Sequence, residues 1–423
     1  MALPTEFHTR DLPTVFANFR KAIGERHWVK RSAAVRADMR GHKYLQDLLE
    51  RENDVAIALA RCSEMVKQYG DIPLERTDDR SLYPAFQLAT QTMALIDQAS
   101  PKYAKALTRR IHGAFKNPDD MRALQFELSV ATHFTRRGLH VQWPEMTGVG
   151  TFDLLVDGLD TQPLEVECKS ISDDKGRRVH RREALEALNH LRLSVETAAH
   201  NLLSGLAVVV TLRDRLPTAF KARQELLNEI ARAILVGVDL EIGHDAEVRI
   251  RDFDIAKYPD LGPPMTEALR RDIDEITGTI NRQAMILGRR KRGALVVVIQ
   301  SRQDDSLLDY TFAAAGDAAA RQLTRTRPGI VAIGFDGISP SQLVRTAQQD
   351  HDPKNPPTQL RRAVSSFLDS EQRRHLIGVA FLSHNELERM PGGHLSTGGT
   401  AYYFPQTDSH HWAESYRGLF QNR

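Results

Sequence analysis

The sequence predicts a mixed α/β protein with a helical N-terminal region, on three observations. Residues 14–115 place apolar side chains at helical spacing, as in VFANFRKAIGERHWV and YPAFQLATQTMALIDQA, with few β-branched clusters. From residue 117 a helix, three short strands, a second helix and an apolar strand follow in close succession. Further on, ALVVVIQS, GIVAIGF and LIGVAFLS read as buried strands separated by helical segments such as FAAAGDAAARQL.

Each element has a local cause. Asp119 or Asp120 can cap the helix through MRALQFELSVATHFTRR, and Gly138 ends it. LHVQW is the first strand, TFDLLVDG the second, closed by Gly158, and PLEVECKS the third. The polar turn DDKGRRVHRR leads into EALEALNHLRLSVETAAHNLL, a helix, and then GLAVVVTL, a strand. AEVRIRDFDIA alternates as an edge strand does. The chain of 423 residues exceeds one ordinary domain. Three regions are expected: a helical domain over 1–116, an α/β domain over 117–260 and a C-terminal α/β region over 261–423.

Composition narrows the class. Hydrophobic residues at 41% and charged residues at 26% are those of a globular chain with a real core. The formal net charge of +2 leaves room for local basic patches without imposing a polyanionic partner. Cys62 and Cys168 stand far apart, so no disulfide framework organises the fold, and a reducing cytoplasmic setting is expected. The longest apolar runs are too short to span a bilayer, so no membrane role is expected. The spacing G-x-x-x-x-G-K-[ST] does not occur, and GGHLSTGGT lacks it. Nucleotide-driven motion, if needed, would come from another subunit.

The chemistry gathers in one strand. In LEVECKS, Leu164, Val166 and Cys168 point one way, while Glu165, Glu167 and Lys169 point the other. The preceding strand offers Asp153, and the helix before it offers Glu127 among Leu124, Phe126, Leu128 and Val130. Alternating charge on a lone strand usually means a solvated face. Carboxylates recurring on adjoining elements instead repel one another unless a cation compensates them. Hard oxygen ligands suit Mg²⁺ or Mn²⁺.

This arrangement resembles the PD-(D/E)XK nuclease superfamily, the restriction-endonuclease-like fold. Its α-β-β-β-α-β core carries an acid on the second strand and (D/E)-X-K on the third, often with an acid from the first helix. The matching residues are Asp153, Glu167-Cys168-Lys169 and Glu127, within residues 117–213. Phe152 stands where the superfamily often has proline.

The resemblance implies a metal-dependent nuclease in which Asp153, Glu167 and the Cys168 carbonyl ligate Mg²⁺ (or Mn²⁺), with Glu127 supporting the ion. Lys169 would position the attacking water, and Asp153, Glu167, Lys169 and Glu127 form the catalytic set. The partner would be nucleic acid, DNA ahead of RNA, in bacterial defence, restriction or repair. Lys175, Arg177, Arg178, Arg181 and Arg182, with His180, follow the motif as candidate phosphate contacts. GRRKRG at 288–293 is a second basic cluster, read as a solubilising flank. A catalytically silent nuclease-fold scaffold or nucleic-acid-binding protein, and an RNA-directed nuclease, are the competing readings. A homo-oligomer or a partner subunit is left open. Glu165 is extra to the motif and is expected to be a surface charge, the tolerant position of the strand.

Overall fold

The structure is a computed structural model that describes residues 3–172, 174–258, 267–279, 282–289, 293–336, 338–383 and 386–420. It divides into two compact units that alternate along the chain: Met1–Arg36, Glu50–Asp173 and Leu308–Arg423 in the first, Ala37–Leu49 and Asp174–Leu307 in the second. The units therefore cut across the three regions expected from the sequence, because a strand's hydrophobicity does not specify its partners.

Strands are numbered along the chain. In the first unit, β2 (His140–Gln142), β3 (Leu154–Asp157), β4 (Leu164–Ile171), β10 (Gly329–Phe335), β11 (Leu376–Leu382) and β14 (Ala401–Pro405) lie side by side in that order. The β2-β3-β4 meander is antiparallel, β4-β10-β11 are parallel, and β14 returns antiparallel. A smaller sheet pairs β1 (Glu6–His8) with the hairpin of β12 (Glu386–Met390) and β13 (His394–Gly398). The N-terminal segment is helical as expected, with Leu12–Ile23, Asp54–Tyr69, Tyr83–Asp97 and Pro101–Ala114 supplying core residues such as Phe16, Leu59, Phe86 and Ile111.

In the second unit, β6 (Leu240–Ile242), β7 (Ala246–Phe253), β5 (Gly205–Leu212), β9 (Gly293–Ser301) and β8 (Arg282–Arg289) form the sheet. Here two expectations are corrected. GLAVVVTL, now β5, does not close the sheet of LEVECKS; it runs parallel to β9 and antiparallel to β7. The place beside β4 belongs to β10, a strand of similar composition more than a hundred residues further on. AEVRIRDF, now β7, is an inner strand between β6 and β5. Its alternation reflects one wet face rather than an edge.

Both faces of the first sheet are covered, which fixes the environment of β4. Asn117, rather than either following aspartate, caps Pro118–Arg136 by accepting from the Asp119 N–H at 3.1 Å, with Pro118 in the first turn. That helix lies on the Cys168 face: Gly334, opposite Ser170, leaves room for the Phe126 ring, which a Cβ there would strike. On the other face Phe335 stacks on Phe381 at 5.7 Å, and Phe312 of the helix Leu307–Arg321 meets Phe381 at 6.4 Å and Phe367 at 5.2 Å. The charged side of β4 thus lies beneath a helical layer rather than in solvent. Cys62 and Cys168 are both free and buried. Among the described residues no helix is long and apolar enough to cross a membrane.

Candidate active site

The acids and the lysine come together around β4. Asp153 sits one residue before β3, and extending the β3-β4 ladder by one step places it opposite Glu167. Its Oδ2 accepts the Cys168 N–H at 2.8 Å. A strand residue presents its N–H and C=O to the same neighbour. The Cys168 carbonyl therefore also faces the Asp153 side, the orientation required of a ligand beside that carboxylate. The Cys168 thiol is buried, and burial together with the Asp153 charge raises its pKa well above the ordinary thiol value. It is no nucleophile.

Glu167 is 1% exposed, Glu127 4% and Asp153 8%. Lys169 Nζ donates to Glu167 Oε1 at 2.8 Å and to Gln322 Oε1 at 2.9 Å. Arg110 pairs with Glu127 and reaches Glu145 Oε2 at 3.7 Å. One oxygen of each glutamate is thereby taken, while Glu127 Oε2 and Glu167 Oε2 are buried with no hydrogen-bond partner. Such atoms are costly to leave unpaired.

The electrostatics follow from crowding. Burial first, then the Asp153 charge, push Glu167 up to about 8 against the pull of Lys169. The same two causes raise Glu127 well above the ordinary carboxyl value, with Arg110 opposing. Asp153 is raised by burial, offset by the Cys168 N–H, Arg110 and Lys169. For Lys169 burial would lower the pKa, but Glu167 and Asp153 outweigh it and hold the ammonium charged. Three buried carboxylates thus face two cations, which leaves one negative charge for a proton or a further cation.

Arg110, Glu145 and Gln322 were not found from the sequence. Gln322 lies 153 residues from the lysine it holds, and Arg110 shares an amphipathic helix with Leu107 and Ile111. Neither carries a local signal. Glu165 overturns its expected role. It is fully buried, and its two oxygens accept from the Thr324 N–H at 2.8 Å and the Thr324 hydroxyl at 2.6 Å, with Arg327 Nη1 at 3.8 Å. It clamps a turn in which Arg325 has φ 64°, a conformation costly for a residue with a Cβ. The same turn carries Gln322. Glu165→Ala should lower stability by about 2–4 kcal/mol in a urea melt; a loss below about 0.5 kcal/mol would restore the surface-charge reading.

The candidate phosphate contacts belong to the second unit. Arg178 donates its N–H to Asp305 Oδ1 at 3.0 Å and faces Asp214 Oδ1 at 3.6 Å, and the Arg181 N–H is held by Asp174 Oδ1 at 2.6 Å. Lys175, Arg177 and Arg182 also make interactions within the protein. The turn is held by Asp174, Asp214 and Asp305 rather than free. Residues 290–292 of GRRKRG lie outside the described residues.

Among the described residues no group of three or more His, Cys, Asp or Glu side chains is disposed to hold a metal ion. Arg110, Lys169 and the Cys168 N–H each occupy one oxygen of the three acids. Two features of the set would suit a hard cation: the surplus negative charge, and an unpartnered oxygen on each of the two glutamates whose pKa the Asp153 charge raises. Compared with known proteins, the chain matches no family model, no curated protein and no solved structure.

Proposed function

We propose that this protein is a metal-dependent nuclease of the PD-(D/E)XK kind, hydrolysing phosphodiester bonds of nucleic acid, DNA ahead of RNA. The observation that carries the reading is the buried set Glu127, Asp153, Glu167 and Lys169, with its unpartnered glutamate oxygens and its excess of negative charge. Evolution of a stable fold alone gives no reason to bury such a set. The order of elements supports it: the helix Pro118–Arg136, β2, β3, β4, the helix Leu307–Arg321 and β10 run α-β-β-β-α-β, apart from the one-turn helix Pro144–Thr147 between β2 and β3, with the Asp174–Leu307 part of the second unit following β4.

In this reading Asp153, Glu167 and the Cys168 carbonyl would hold Mg²⁺ or Mn²⁺, with Glu127 in support. The ion would supply Lewis acidity and an activated water. Lys169 is fixed between Glu167 and Gln322, and its ammonium would offer a charged N–H donor to the attacking water and the phosphoryl oxygens. Arg110 keeps Glu127 oriented and limits the repulsion among the acids.

The scaffold reading has one observation in its favour, the protein partners already made by each acid. Incubating the full chain with plasmid, linear duplex, single-stranded DNA and RNA across a Mg²⁺ and Mn²⁺ titration separates the two. Cleavage of at least one substrate, dependent on the metal, is expected. Nucleic-acid binding without cleavage under any condition would leave the silent scaffold as the function.

A further inference from the structure

A second charged feature lies in the first unit, on its N-terminal helices. The helix Arg26–Gly41 and the end of Pro101–Ala114 enclose a cleft of about 420 Å³. Arg26, His27, Lys30, Arg31, His112 and Lys116 line it, and no acidic residue does. Phe115 and Ala34 complete the lining. Arg26 and Lys30 are four residues apart on one helix, a spacing at which like charges repel.

That repulsion is not relieved locally. Among the described residues Arg26, Lys30 and Lys116 have no carboxylate partner, and Arg31 Nε donates to a neutral amide, Asn53 Oδ1, at 2.7 Å. Glu25, next to Arg26 in the chain, faces Lys67 at 3.8 Å, and Glu64 pairs with Arg36 of the same helix at 2.7 Å. The imidazoles of His27 and His112 stack with centroids 3.8 Å apart and planes 17° from parallel. His112 Nε2 must donate to the Ile23 carbonyl at 2.8 Å, which fixes that ring. Burial, then the charges of His112, Arg26 and Lys116, lower the pKa of His27. The ring therefore presents a neutral aromatic face within a positive field.

We propose that this cleft binds single-stranded nucleic acid, with Arg26, Lys30 and Lys116 on successive phosphates and a base extending the His27–His112 stack. Cations on the backbone and aromatic faces for bases are the two components of sequence-tolerant single-strand binding. The volume falls in the range of small-molecule sites, roughly 300–1,000 Å³, and admits a nucleotide or two rather than a duplex. An anionic membrane is disfavoured, because no large apolar side chain of the helix Arg26–Gly41 is exposed. The identity of the polyanion rests on the nuclease reading; the charge and the stack do not.

The test is fluorescence anisotropy of the full chain with a labelled oligothymidine in EDTA, which separates binding from cleavage. Wild type should bind, and Lys30→Gln/Lys116→Gln should bind about tenfold more weakly, with the salt slope reduced by roughly 0.7 per lost phosphate contact. His27→Ala should weaken binding about fivefold and leave the slope unchanged. The glutamine substitutions are on exposed side chains, so an unchanged melting temperature controls for folding. The cleft is overturned if the double variant binds within twofold of wild type, or if wild type binds phosphatidylserine vesicles and not the oligonucleotide. Cleavage in Mg²⁺ with binding unaltered in the double variant overturns the cleft alone. Weakened binding in that variant, with no cleavage by wild type in any metal, overturns the nuclease reading alone.

Discussion

Lys169→Ala should reduce cleavage by at least two orders of magnitude while the protein stays folded. The ammonium is held by Glu167 at 2.8 Å and Gln322 at 2.9 Å, so it is placed rather than mobile. Its side chain keeps 27% exposure, enough to meet a phosphate arriving from solvent. A preorganised donor aimed at developing charge is worth about 10²–10³ in rate. The loss should appear in the single-turnover rate constant, with the oligonucleotide affinity unchanged, because the lysine acts on the transition state more than on the ground state. Glu167→Gln should match it within an order of magnitude, since the two groups act as one unit. Gln322→Ala, which only releases the ammonium, should cost less than either, roughly tenfold. A Lys169→Ala protein that still cleaves within tenfold of wild type would remove lysine from the mechanism and leave the acids to be explained otherwise.

The charge pattern of residues 153–169 was readable because strand alternation is local: one residue in two faces the same side, whatever the rest of the chain does. The same property misled at Glu165. Alternation gives the face but not what covers it. Here the helix Leu307–Arg321 and the turn after it cover that face, and they lie some 140 residues downstream. Topology was readable only as far as hairpins carry it. The β2-β3-β4 meander follows chain order, whereas the neighbour of β4 was decided between two apolar strands, GLAVVVTL and GIVAIGF, that local sequence cannot rank. The insertion of the second unit explains why the nearer one was the wrong choice. Arg110 and Gln322 are invisible for a related reason. Each is an ordinary surface-type residue whose significance comes from one long-range partner.

Metal-free protein should lose stability as pH rises from about 5 to about 8, the reverse of a protein held by salt-bridged carboxylates. Glu167 titrates near 4.5 when unfolded and near 8 in the fold, because burial and Asp153 disfavour its charge. Between those values the folded state keeps a proton that the unfolded chain has released. Unfolding therefore sheds protons, and stability falls with pH by about 1.4 kcal/mol per unit for that one group. Glu127 and Asp153 are shifted in the same direction and add to the fall. Below the unfolded pKa both states are protonated and the effect vanishes. Glu167→Gln removes the titrating group, so its melting temperature should depend less steeply on pH and exceed that of wild type at pH 8. A divalent cation bound at the acids takes over the work of the proton and stabilises by mass action. Mg²⁺ should consequently raise the melting temperature more at pH 8, where it meets a carboxylate seeking compensation, than at pH 5.5, where it must displace a bound proton. Thermal melts at the two pH values, with and without Mg²⁺, read all of this without any substrate. A wild-type profile that is flat or rising from pH 5.5 to 8, or a Mg²⁺ effect of equal size in Glu167→Gln, would mean that the buried acids do not carry the excess charge and that the cation binds elsewhere.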